Sequence, residues 1–152
     1  MLSHQTLKVV ADSVNPILGI LAIVLPFAKS RGAWRQAAAH LGVTLVIVAL
    51  TYLFRAVLQL EALWASWGMD FTTHGAICIV LVVALSSLSW KRFWVWGVVF
   101  VAYDELMVYE NFHTWADIGT TSAVLLPFTL VVRYWGDRWG ASVVQPTRAT
   151  SS

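Results

Sequence analysis

Thr72-Thr-His74-Gly-Ala-Ile-Cys78-Ile-Val-Leu-Val-Val-Ala-Leu-Ser-Ser-Leu-Ser-Trp90 is a long apolar run that holds no Asp, Glu, Lys or Arg. A helix needs roughly 20 such residues to cross about 30 Å of hydrocarbon, so this stretch reads as one membrane span. Four more can be drawn around it, over residues 14–28, 37–58, 93–109 and 117–135. The chain has 152 residues, 59% of them hydrophobic and 12% charged, with a mean hydropathy of +0.71. A soluble domain carries about twice that charge, and these runs are too long and too many for one globular core. The expected architecture is therefore an all-α, polytopic membrane bundle of about five transmembrane helices.

The first and fourth runs are short for a bilayer and can borrow length from residues 7–13 and 110–112. Residues 1–12 read as an interfacial lead-in, 1–140 as a single domain, and 141–152 as a flexible cytoplasmic tail rich in Ser and Thr. The first run lacks a small-residue cleavage site and is expected to be retained. Cys78 is the only cysteine, so no disulfide forms within one chain. No basic patch with interleaved aromatics points to nucleic acid.

Charge placement orients the bundle. Every basic residue except Lys8 and Arg55 falls between spans one and two, between spans three and four, or at and beyond the end of span five. The positive-inside rule makes that side cytoplasmic, with the amino terminus outside and the carboxyl terminus inside. Compact loops suggest a bacterial inner membrane, with the opposite face toward the periplasm. The acids fall mostly on the outer side, Asp137 being inside. Tryptophans form two belts: Trp34, Trp90, Trp94, Trp96, Trp135 and Trp139 at the inner ends, and Trp64, Trp67 and Trp115 at the outer ends.

Ionisable residues at membrane depth are costly and usually functional. On this topology His74, His113, Asp117, Asp70 and Arg55 share the outer side. His113 and Asp117 lie four apart, on one face of a helix, where a carboxylate can orient an imidazole and raise its basicity. An arginine offers a fork of donors suited to phosphate. Together they suggest phosphoryl transfer: His113 as nucleophile, Asp117 holding its ring, His74 protonating the leaving oxygen. No cofactor is needed, and the partners are a lipid phosphate substrate and membrane lipids.

Phe71-Thr72-Thr73-His74-Gly75-Ala76 and His113-Thr-Trp-Ala-Asp117-Ile-Gly119 resemble the second and third signature motifs of the type 2 phosphatidic acid phosphatase superfamily, which includes lipid phosphatases and sphingomyelin-synthase-like phosphotransferases. The resemblance covers roughly residues 50–135 and enclosing one helix hairpin between the histidines is part of it. It implies the same roles for His113, Asp117 and His74, with phosphate bound by Arg55, Thr72, Thr73 and Gly75. The chain departs from the family in three places. The first motif, a lysine followed seven residues later by Arg-Pro, is absent, with Arg55 as its remnant. Met107 stands where the third motif carries an arginine. Phe71-Thr72-Thr73 replaces the usual Pro-Ser-Gly. A short, divergent member would fit.

Plainer roles compete with each of these. Thr72 and Thr73 can cap span three, as can Asp70. Arg55 can snorkel or pair with Glu61 or Asp70. Asp104, Glu105 and Glu110 are second-shell candidates: Asp104 can pair with Arg55, and Glu110 can reach His74. Two rival functions remain open. One is a metal-dependent membrane hydrolase, with His74, His113, Asp117 and Asp104 as zinc ligands. The other is a catalytically silent module that binds a lipid or a partner.

Overall fold

The computed structural model describes residues 4–30, 32–57 and 60–144. These form six α-helices: α1 (His4–Lys29), α2 (Trp34–Val57), α3 (Leu60–Ser66), α4 (Thr73–Ser87), α5 (Phe93–Tyr109) and α6 (Trp115–Val144). One 3-10 turn, Trp90–Arg92, leads into α5, and no strand occurs among the described residues.

Helix α4 is the centre. It is apolar on every side, which is the pattern of a helix surrounded by others rather than one lying on a surface. Ala76, Cys78 and Val80 are completely buried, and α4 packs against α1, α2, α5 and α6 alike. Two clusters form around it. One joins Cys78, Leu81 and Leu85 to Leu18 of α1 and Tyr103 of α5. The other joins Ile79 and Val83 to Trp64, Phe71 and Leu125. The surrounding helices then turn apolar faces outward, including Ile17, Ile20, Leu45, Leu53, Val98 and Val131. A soluble monomer rarely exposes contiguous apolar surface on this scale, whereas hydrocarbon solvates it at no cost.

Three segments are long and apolar enough to cross a membrane: Gln5–Lys29, Trp34–Val57 and Trp115–Gly140. Helices α4 and α5 have 15 and 17 residues. At 1.5 Å per residue they reach about 22 and 26 Å, short of the roughly 30 Å expected of a full span. Successive long helices run antiparallel. Asn15 Nδ2 of α1 donates to the His74 carbonyl near the start of α4 (3.0 Å), and Lys29 Nζ at the other end of α1 lies 3.4 Å from the Leu88 carbonyl just past α4. The starts of α1, α4 and α6 therefore share one end of the bundle with the finishes of α2 and α5.

Several expectations change. Residues 4–12 are no separate lead-in but the first turns of a continuous α1. Helix α6 runs to Val144, so 141–144 are helical; 145–152 lie outside the described residues. The sixth helix, α3, occupies a stretch read as loop. It exists because Trp64 has somewhere to go. Its ring is 2% exposed, meets Phe71 edge-on at 5.5 Å, and its Nε1 donates to Thr120 Oγ1 at 3.0 Å. Trp64 is thus a core residue, not an interfacial anchor, while Trp67 and Trp115 are exposed as expected. Gly68 closes α3 with φ +70, a conformation open to glycine without a Cβ clash, and lets the Met69 N–H return to the Trp64 carbonyl at 3.0 Å.

Candidate functional site

The end of the bundle that holds the starts of α4 and α6 is assembled by one carboxylate. Asp117 Oδ1 accepts from the backbone N–H of Asp70 at 2.7 Å. Its Oδ2 accepts from the Thr114 N–H at 2.8 Å and the Thr114 hydroxyl at 2.7 Å, and Thr114 Oγ1 accepts the Asp117 N–H at 3.2 Å. Thr114 and Asp117 therefore form a reciprocal capping box on α6, and the same carboxylate reaches across to the segment before α4. A second bond follows the same route, from the Thr72 N–H to Thr121 Oγ1 at 3.4 Å.

The expected brace between Asp117 and His113 is not formed. Asp117, 6% exposed, has spent its oxygens on Asp70 and Thr114, although it lies close enough to His113 for their charges to interact. His113 sits just before the α6 cap, half-buried, with its Nδ1 enclosed and without a hydrogen-bond partner among the described residues. His74 is exposed on the first turn of α4, its carbonyl held by Asn15. Asn15 Nδ2 also lies 3.5 Å from the Tyr103 hydroxyl, so α1 and α5 both steady that turn.

The phosphate-binding set divides. Thr72 is 1% exposed, and its hydroxyl accepts the Gly75 N–H at 3.0 Å as the N-cap of α4. A Cβ on Gly75 would lie 3.0 Å from that hydroxyl, so Gly75 is what lets the cap fit so closely. Both are buried, and the Thr72 hydroxyl and the Gly75 N–H are spent on each other at the helix terminus. Thr73 is half-buried at the first position of α4, and Arg55 is half-buried in the last turn of α2. Asp70 is exposed and contributes its backbone N–H. Met107, where the resemblance calls for arginine, is buried in the core beside Cys78 and Ile118.

Of the acids on and after α5, Asp104 faces inward at 3% exposure, with Oδ1 lacking a hydrogen-bond partner among the described residues. Glu105 faces outward and Glu110 closes α5, half-buried. The zinc reading finds no geometric support. Among the described residues no three His, Cys, Asp or Glu side chains gather as a metal-ligand set, so His74, His113, Asp117 and Asp104 do not converge on one point.

A polar cluster that sequence reasoning missed lies toward the other end, between α2 and α6. Arg133 is 3% exposed. Its Nε pairs with Asp137 at 2.8 Å, and its Nη1 donates to Thr44 Oγ1 at 2.9 Å and to the His40 carbonyl at 3.2 Å. Its Nη2 also contacts His40 Nδ1. The signal was present as a four-residue period along α6: Asp117, Thr121, Leu125, Thr129 and Arg133 are all buried on one stripe, and Leu125 alone among them is apolar. No family model, curated protein or solved structure matches the chain.

Proposed function

We propose that the chain is a five-span membrane enzyme, amino terminus outside and carboxyl terminus inside, that removes or transfers the phosphoryl (or phospho-headgroup) unit of a lipid phosphate at its outer face. The observation that carries this reading is the Asp117–Asp70 hydrogen bond. It draws the His74 turn and the His113 turn to one end of the bundle, one histidine exposed and the other half-buried. With His113 Nδ1 enclosed, Nε2 is the nitrogen assigned as the nucleophile.

In the first step Nε2 attacks phosphorus and the bond from phosphorus to the lipid oxygen breaks. His74 gives its proton to that oxygen, which leaves as the lipid alcohol. In the second, His74 takes a proton from water, or from an acceptor alcohol, as its oxygen attacks phosphorus and the P–N bond breaks. Asp117 keeps the imidazolium company electrostatically, and Arg55 and Thr73 meet the phosphate oxygens. A bacterial inner membrane is the expected setting.

The test is free phosphate against new headgroup product from a panel of lipid phosphates. His113→Ala and His74→Ala should each abolish turnover, and acid-labile phosphate should appear on the wild-type chain but not on His113→Ala. Unchanged turnover in either variant sinks the proposal. One rival keeps specific support. The burial of Met107, Thr72 and Gly75 leaves a thin phosphate clamp, as a silent lipid-binding module would have. For that module all three proteins would be equally inactive while still binding lipid.

A further inference from the structure

Helices α5 and α6 each pack on α4 but scarcely on each other. The gap between them is a groove of about 430 Å³, floored by Ile79, Val82 and Val83 and walled by Phe100, Leu126 and Leu130. That volume lies in the range of small-molecule sites, and its lining is apolar along most of its length. Toward the finish of α6 its character changes: Ser86, Ser87, Arg133 and Asp137 line the end. There it adjoins a second cavity of about 240 Å³, which shares Ser87 and Asp137 and adds Gln36 and His40.

We propose that this groove binds one tail of an anionic lipid, whose head group rests on the basic rim at the end of the bundle away from His74 and His113. An apolar slot closed by a polar pocket matches a molecule with a long tail and a polar head. Ser86 is 8% exposed and its hydroxyl lacks a hydrogen-bond partner among the described residues, so it presents an unused donor where tail meets head. Charge selects the head. Asp137 is already matched by Arg133 at 2.8 Å, while the exposed Lys91, Arg92 and Arg138 have no carboxylate partner among the described residues, and the Arg138 guanidinium lies 4.6 Å over the ring of Tyr134, a lining residue. Lys91 and Arg92 directly precede Phe93, a lining residue, and Arg138 directly follows Asp137. Such a rim favours an anionic head group over a net-neutral one. This site uses none of the phosphoryl-transfer residues and stands whether or not that chemistry occurs.

The experiment uses the full chain in phosphatidylcholine nanodiscs doped with phosphatidylglycerol or phosphatidylcholine, each carrying a photoreactive acyl chain. After irradiation, adducts are mapped by mass spectrometry. Phosphatidylglycerol should label α5 and α6 along the groove several-fold more than phosphatidylcholine with the same tail. Gly97 lines the groove, and a Cβ there meets nothing within 4 Å, so Gly97→Leu fills the slot while favouring the helix. It should remove the groove adducts and spare labelling elsewhere. Lys91→Gln, Arg92→Gln and Arg138→Gln together should erase the preference for phosphatidylglycerol and keep the tail in place. Adducts scattered over all helices, equal labelling by the two head groups, or full groove labelling of folded Gly97→Leu would each overturn the proposal.

Discussion

Asp117 ties the turn before α4 to the start of α6 through three accepted hydrogen bonds, two of them from backbone N–H groups. Asp117→Ala leaves those part-buried donors without their carboxylate, a loss of about 1 kcal/mol for each hydrogen bond. The thermal midpoint should fall clearly, and turnover should fall with it because both histidine turns lose their tether. A variant as stable as wild type would show that the tether carries no load. Arg133 is the counterpart at the other end. Arg133→Ala takes the donor from the buried Thr44 hydroxyl and the His40 carbonyl, at about 1–3 kcal/mol for a buried group left unsatisfied, while the exposed Asp137 returns to solvent. Arg133→Ala should therefore destabilise, and Arg133→Lys should rescue little, since an ammonium cannot reach Asp137, Thr44 and His40 from one planar fork. Full rescue by lysine would mean that only the charge matters.

Among the elements, α4 and the α2–α6 pair set the geometry. The central helix is recognisable from the run 76–85, which has no polar face to turn outward. The α2–α6 contact depends on two glycines one turn apart. A Cβ on Gly136 would come within 2.7 Å of Val43 Cγ1, and one on Gly140 within 3.2 Å of Ala39 Cβ. Small residues at this spacing let helix backbones approach without help from the hydrophobic effect. Gly136→Val forces the helices apart at the point where Arg133 meets His40 and Thr44, with an expected loss of about 1–3 kcal/mol from overpacking. Unfolding in mild detergent, followed by circular dichroism, should show an earlier transition; an unchanged transition would mean that α6 slides to accommodate the side chain.

The whole molecule is a centre helix with four around it, and its proposed orientation has a direct check. In a Cys78→Ser background, Asn111→Cys should react with a membrane-impermeant maleimide on intact cells. Ser89→Cys should react only after the membrane is permeabilised. The reverse pattern would invert the topology and put the His74 end inside. Both positions lie in turns at opposite ends of α5, so neither substitution disturbs the core.

All-helical structure and three helices long and apolar enough to cross a membrane were readable directly, because they follow from the local composition of long apolar runs. So was the helix start at Thr72, whose hydroxyl satisfies an amide only three residues ahead, whereas α6 begins at Trp115, earlier than the expected 117. The partner of each polar group was not readable. Asp117 was matched on spacing with His113, one turn away, yet its nearest donors come from Thr114 and from Asp70, brought in by tertiary packing. Trp64 carried the composition of an interface anchor, but only the docked Phe71 and Thr120 show that it is core. Arg133 read as a charge at the membrane edge; Thr44 and His40 of a distant helix make it a buried one. Periodicity determines which residues share a face. Which face meets which, and hence whether a carboxylate braces a histidine or a helix, is decided only when the helices pack.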